Sequence, residues 1–102
     1  MSFVEQLFSL NNKVAIVTGS ARGNGKAIVE GLAAAGATVV AVDIIEQQSN
    51  CDNVLCDITN AEHLNKLVQN TVQKYGKIDI LVNNAGVSLG SNENHYPDDL
   101  WE

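Results

Sequence analysis

The sequence predicts an α/β fold, a parallel sheet covered by helices, and three observations carry that reading. Short apolar runs bounded by turn residues alternate with stretches of helical periodicity. The first run, Val14-Ala15-Ile16-Val17, leads directly into the glycine-rich octet Thr18-Gly19-Ser20-Ala21-Arg22-Gly23-Asn24-Gly25. A helical pattern then begins near Lys26. Strand, glycine turn and helix in that order form a phosphate cradle. Glycines let the backbone approach a ligand without Cβ obstruction, and the helix N-terminus turns free N–H groups toward an anion.

Val14 to Thr18 is apolar on both faces, as a strand buried between two helical layers requires. From Lys26 to Ala35 the positions Ile28, Leu32 and Ala35 keep helical spacing, and Gly36 follows where a C′ glycine ends a helix. Gly31 inside that helix costs about 1 kcal/mol against alanine, tolerable if the helix packs closely on the sheet. Thr38-Val39-Val40-Ala41-Val42 is the second strand and ends at Asp43. A polar stretch, Glu46 to Asn50, leads to a short third strand, Asn53-Val54-Leu55-Cys56. Thr59-Asn60-Ala61-Glu62 reads as a capping box, with the Thr59 hydroxyl bonding the Glu62 N–H. Leu64, Leu67, Val68, Thr71, Val72 and Tyr75 then share one helical face, closed by Gly76. Ile78 to Val82 is the fourth strand, and Asn83-Asn84-Ala85-Gly86 is its exit. Beyond Val87 the chain is polar and loop-like through Asp99, with Asp98-Asp99-Leu100 opening another helix.

Right-handed crossovers give these strands the order 3-2-1-4, one mononucleotide-binding half of a doubly wound, Rossmann-type sheet. A single partial dinucleotide-binding domain is therefore expected over residues 1–102. Residues 1–12 are its lead-in, 13–86 the Rossmann half, and 87–102 a loop with the start of the next helix.

The 102 residues suffice for one small core, and 45% hydrophobic with 18% charged residues is the balance of a soluble globular protein. A net charge of −6 disfavours nucleic acid or an anionic membrane as partner, since both demand clustered cations and the six Lys and Arg are scattered. Phe3, Val4, Leu7, Phe8 and Leu10 are interrupted by Glu5 and Gln6, with no basic n-region. They read as a lead-in packed on the domain, not as a signal peptide. No apolar run reaches the roughly 18 residues of a membrane span. Cys51 and Cys56 fit no zinc spacing, and His63 and His95 stand apart, so free thiols in a reducing cytoplasm and no metal are expected.

With the glycine octet, Asp43, Asp57 and Asn83-Asn84-Ala85-Gly86 in this order, the chain resembles the short-chain dehydrogenase/reductase family from about Leu10 to Gly86. Thr18, Gly19, Gly23 and Gly25 fit the family's TGxxxGxG pattern, and the residues from Asn83 fit its NNAG element. The resemblance implies a nicotinamide dinucleotide cofactor and hydride transfer between it and an alcohol/carbonyl pair. Gly19 then permits the sharp turn, and Gly25 lets the helix sit tight on the sheet. Ser20, Arg22 and Asn24 lie where donors can reach pyrophosphate or ribose. Asp43 can accept both adenosine-ribose hydroxyls and repels a 2′-phosphate, so NAD is expected over NADP. Arg22 pulls the other way, because a guanidinium near the ribose can pair with that phosphate.

By the same resemblance Asp57 accepts from the adenine amino group, with the Ile58 backbone beside it. Asn83 touches the cofactor ribose, Asn84 ties neighbouring strands through its amide, and Ala85 and Gly86 leave room for the cofactor. Asn24 departs from the family, which usually has an aliphatic residue, often isoleucine, between those glycines. An added polar contact and a divergent subgroup both remain open as explanations.

The family's catalytic Tyr-x-x-x-Lys pair does not occur here. Tyr75 is followed four residues on by Asp79, and Tyr96 by Leu100, while Ser88 has no downstream partner. No catalytic residue is therefore assigned. Three readings stand: an oxidoreductase represented by a truncated cofactor half, a stand-alone NAD-binding or regulatory module, and a Rossmann-like methyltransferase. The missing chemistry and the end at Trp101-Glu102 favour the first, and the third leaves the NNAG element unexplained. In a full-length form the resemblance implies a small alcohol/carbonyl substrate and a homo-oligomer.

Overall fold

The computed structural model describes residues 8–84. Their four strands are β1 (Val14–Thr18), β2 (Thr38–Asp43), β3 (Asp52–Leu55) and β4 (Ile80–Asn83). They form one parallel sheet in the expected order, β3-β2-β1-β4. Two helices connect them, α1 (Gly23–Ala34) between β1 and β2 and α2 (Ala61–Tyr75) between β3 and β4.

Register explains the two cores. Ile16 of β1 lies beside Val40 and Leu81, and Val17 lies beside Ala41 and Val82. Because successive residues of a strand face opposite sides, Ile16, Val40 and Val42 pack with Cys56 and Leu67 on the α2 side. Val17, Val39 and Ala41 pack with Val29 on the α1 side, where Cys51 joins them. Burying each of the Val, Ile and Leu side chains among these contributes roughly 1.5–3 kcal/mol, and β1, buried along its whole length, belongs to both layers.

Several expectations are corrected. Helix α1 starts at Gly23 instead of Lys26, and its most buried side chain is Val29, with Ile28 and Leu32 packed beside it. Through Val29, Ile28 and Leu32 the helix does pack on the sheet, while Gly31 itself faces open space, where a Cβ would meet nothing within 4 Å. Strand β3 begins one residue earlier than expected and β4 two later. The N-cap of α2 is Asn60, whose Oδ1 accepts from the Glu62 and His63 N–H groups at 2.9 and 3.2 Å. Thr59 lies one residue before the cap, and its hydroxyl donates to Asp57 Oδ1 at 2.6 Å. Leu67 and Thr71 of α2 are buried, but Leu64, Val68 and Val72 stay 40%, 42% and 43% exposed. Among the described residues nothing covers that flank, nor Leu81 on the same face of the sheet.

Two polar latches close the end of the sheet opposite the glycine turn. Asp79 accepts from the Val14 N–H at 2.8 Å, and its own N–H donates to the Val14 carbonyl at 2.8 Å. The Val14 N–H donating to the carboxylate, aided by Lys77 at 3.2 Å, holds the Asp79 carboxyl below the usual range. The Tyr75 hydroxyl donates to Asp52 at 2.8 Å, and Lys74 pairs with the same oxygen at 3.2 Å. Burial, with the Asp52 carboxylate, pushes the Tyr75 hydroxyl up.

The lead-in touches the domain through the Leu10 N–H, which donates to the Ala35 carbonyl at 2.8 Å, while Phe8 stays exposed. The expectations for Phe3, Val4, Leu7, Ala85, Gly86, Ser88, Tyr96 and the helix opening at Asp98 lie outside the described residues. No described helix is long and apolar enough to cross a membrane.

Candidate functional site

A parallel sheet carries all its strand C-termini on one edge, and that edge gathers Gly19, Asp43, Asp57 and Asn83. The strand order reverses between β1 and β4, the point at which open α/β sheets form a ligand crevice. Gly19 takes φ 64°, a left-handed conformation that turns the chain sharply off β1. Its carbonyl accepts from the Asn84 Nδ2 at 3.0 Å, so Asn84 binds the exit of β4 to the turn. A Cβ at position 25 would collide with the Gly19 carbonyl and lie 2.7 Å from the Asn84 amide. Gly25 thus packs α1 against the turn and the β4 exit, not against the body of the sheet.

Helix α1 begins without a side-chain cap. Arg22, its N-cap, makes no capping bond, and the first turn has no acidic residue. In α2 the opposite holds, with the Asn60 cap and Glu62 in the first turn. The unmet N–H groups and the positive dipole end of α1 therefore face the C-terminal edge, beside Arg22 and Asn24, which are exposed. This arrangement can hold an anion.

Asp43 closes β2 with both carboxylate oxygens engaged by backbone. Oδ2 accepts from the Ala21 N–H at 2.9 Å and Oδ1 from the Ile44 N–H at 2.7 Å. Each oxygen keeps a further lone pair, so the oriented carboxylate can accept a pair of vicinal hydroxyls.

Ser20 is placed differently from an outward donor. It is 2% exposed, and its hydroxyl lies 3.1 Å from the Val42 carbonyl and 2.9 Å from Gln47 Oε1. Asp57 is exposed beyond β3, and the hydroxyl and N–H of Thr59, with His63 nearby, hold its carboxyl below the ordinary range. Its N–H donates to His63 Nδ1 at 3.3 Å. Ile58 packs beside the α2-side core. Burial, then the Asp57 charge, pushes the neighbouring Cys56 thiol up. Asn83 is exposed at the end of β4 and accepts from the Thr18 hydroxyl at 3.3 Å.

The structure thus joins the turn directly to Asp43 and Asn84, and brings Asp57 in through the Cys56 N–H, which donates to the Asp43 carbonyl at 3.0 Å. Ala85 and Gly86 lie outside the described residues. Gln47 and His63 are contacts that sequence reasoning missed; neither sits in a periodic or motif pattern. A cavity of about 580 Å³, lined by residues 45–48 and 53–55, opens between the β2–β3 connection and β3, beside the site and not within it.

Comparison with known proteins adds independent findings. The family model described as short chain dehydrogenase matches residues 13–102. The NAD-dependent glycerol dehydrogenase of Listeria innocua is 40% identical over 93% of this chain and 41% of its own length. The 2-dehydro-3-deoxy-D-gluconate 5-dehydrogenase of Pseudoalteromonas atlantica is 38% identical over 93% of this chain and 42% of its own. The chain therefore spans about two-fifths of these relatives' length. The ligand-free aldohexose dehydrogenase of Thermoplasma acidophilum superposes with a TM-score of 0.72 at 37% identity, covering 76% of this chain and 31% of that one. The 2-keto-3-deoxy-D-gluconate dehydrogenase of Streptococcus agalactiae does so at 0.72 and 36%, covering 80% and 35%. The glycine turn, the parallel sheet in the order 3-2-1-4, the match to the family model and these likenesses agree: the chain belongs to the short-chain dehydrogenase family.

Proposed function

We propose that this chain is the cofactor-holding part of an oxidoreductase that moves a hydride between NAD(H) and an alcohol/carbonyl pair. The observation that carries the reading is the Asp43 carboxylate, fixed by the Ala21 and Ile44 N–H groups beside an uncapped helix N-terminus. In this reading the N-terminal N–H groups of α1, with Arg22 and Asn24, hold the pyrophosphate. Asp43 accepts the adenosine-ribose hydroxyls, Asp57 and the Ile58 backbone meet adenine, Asn83 touches a cofactor ribose, and the small residues Ala85 and Gly86 leave room for backbone approach to the cofactor. Ser20 contributes by fixing the turn, since its hydroxyl is committed inward. The dinucleotide, when bound, supplies the hydride chemistry. The Listeria relative's description as NAD-dependent supports the choice of NAD, as does the negative charge Asp43 would set against a 2′-phosphate.

Calorimetric titration in the full-length protein tests this. NADH is expected to bind at least about tenfold more tightly than NADPH, a difference of ~1.4 kcal/mol, and Asp43→Asn should narrow that ratio by a similar factor. Tighter binding of NADPH to the wild type would overturn the preference.

A further inference from the structure

Gln47 lies in the helix-free connection between β2 and β3, and its side chain folds back over the end of β2. The Nε2 group donates to the Ala41 carbonyl at 3.1 Å, and Oε1 accepts from the Ser20 hydroxyl at 2.9 Å. This orientation of the amide is forced, because a carbonyl cannot donate and so must face the NH₂ group. One half-buried side chain thereby fastens three segments together: β2, the glycine turn, and the connection carrying Ile44 and Ile45. The Ser20 hydroxyl has a second acceptor in the Val42 carbonyl at 3.1 Å, and its N–H reaches the same carbonyl at 3.2 Å. Loss of Gln47 therefore strands no buried donor, and the turn keeps its hold on β2. What is released is the connection, and with it the Ile44 N–H that orients Asp43 Oδ1.

We propose that Gln47 is a positioning residue for the adenosine end of the cofactor, holding the Asp43 carboxylate in its receiving orientation through the β2–β3 connection. This rests on the dinucleotide reading above. Gln47 acts on the cofactor indirectly, through Asp43, by way of the β2–β3 connection.

Calorimetric titration of NAD and of AMP into full-length wild-type protein, Gln47→Ala and Gln47→Met tests it, with melting temperatures measured alongside. Both variants should bind both ligands about tenfold more weakly than the wild type, equivalent to ~1.4 kcal/mol. Gln47→Met keeps the length and stem of the side chain but makes neither bond, so it separates hydrogen bonding from packing and remains the deciding variant if Gln47→Ala fails to fold. Wild-type affinity in Gln47→Met overturns the proposal, as does weakened NAD binding with AMP binding unchanged. A wild type that binds neither NAD nor NADP defeats the dinucleotide reading first, and the role of Gln47 falls with it.

Discussion

A methyl group at position 25 would occupy space held by the Gly19 carbonyl and the Asn84 amide, which hydrogen-bond each other at 3.0 Å. Neither can step aside without moving the turn that faces the ligand edge. Gly25→Ala is therefore expected to lower the melting temperature and to weaken NAD binding at least about tenfold, overpacking of this kind costing ~1–3 kcal/mol. An alanine variant with wild-type melting and wild-type calorimetry would contradict the packing described. Gly19, Gly25 and Asp43 were legible because backbone geometry or charge restricts which residue can stand there. Ser20 was legible in place but not in direction, since a hydroxyl in a turn serves equally well facing in or out. Gln47 was illegible: a glutamine in a polar connection carries no spacing signal, and only the fold brings it onto Ala41 and Ser20.

The two helices begin in opposite ways, and the difference sorts structural ends from receptive ones. Helix α2 satisfies its first N–H groups through Asn60, so Asn60→Ala should cost about 1 kcal/mol in denaturant unfolding. Thr59→Ala should leave that cap intact and instead let the Asp57 carboxyl rise toward its ordinary value, visible in an NMR titration. Equal destabilisation by both changes would restore the Thr59 capping box. Thr59 and Asn60 are both competent caps in sequence; in the fold Asn60 accepts from the first helix N–H groups, while the Thr59 hydroxyl donates to the Asp57 carboxylate. The face of α2 was only partly legible for a related reason. Periodicity marks the apolar positions, but it does not say which of them the sheet covers, and Leu64, Val68 and Val72 stay exposed.

Across the whole molecule, strand order followed from the right-handed crossover rule and needed no contact information. The closure of the sheet did not, because it depends on Asp79 folding back onto the start of β1. The folded-state pKa of Asp79 lies below its unfolded value, so its contribution is complete above the ordinary carboxylate range near pH 4 and fades as pH falls through the lowered value. Asp79→Ala should accordingly be less stable than the wild type at pH 7, with the gap closing in acid. Urea unfolding from pH 7 down to about pH 2.5 checks this, and a gap that widens on acidification would sink it. The sheet also separates the chain's two thiols, Cys51 against the α1 layer and Cys56 beneath α2. No disulfide can link them through the sheet. The two thiols differ in access as well: Cys56 is buried beneath α2 and should react only through opening of that layer, whereas Cys51 is partly exposed and should react without it. Labelling at Cys51 thus serves as the internal reference against which slow labelling at Cys56 reports the lifting of α2.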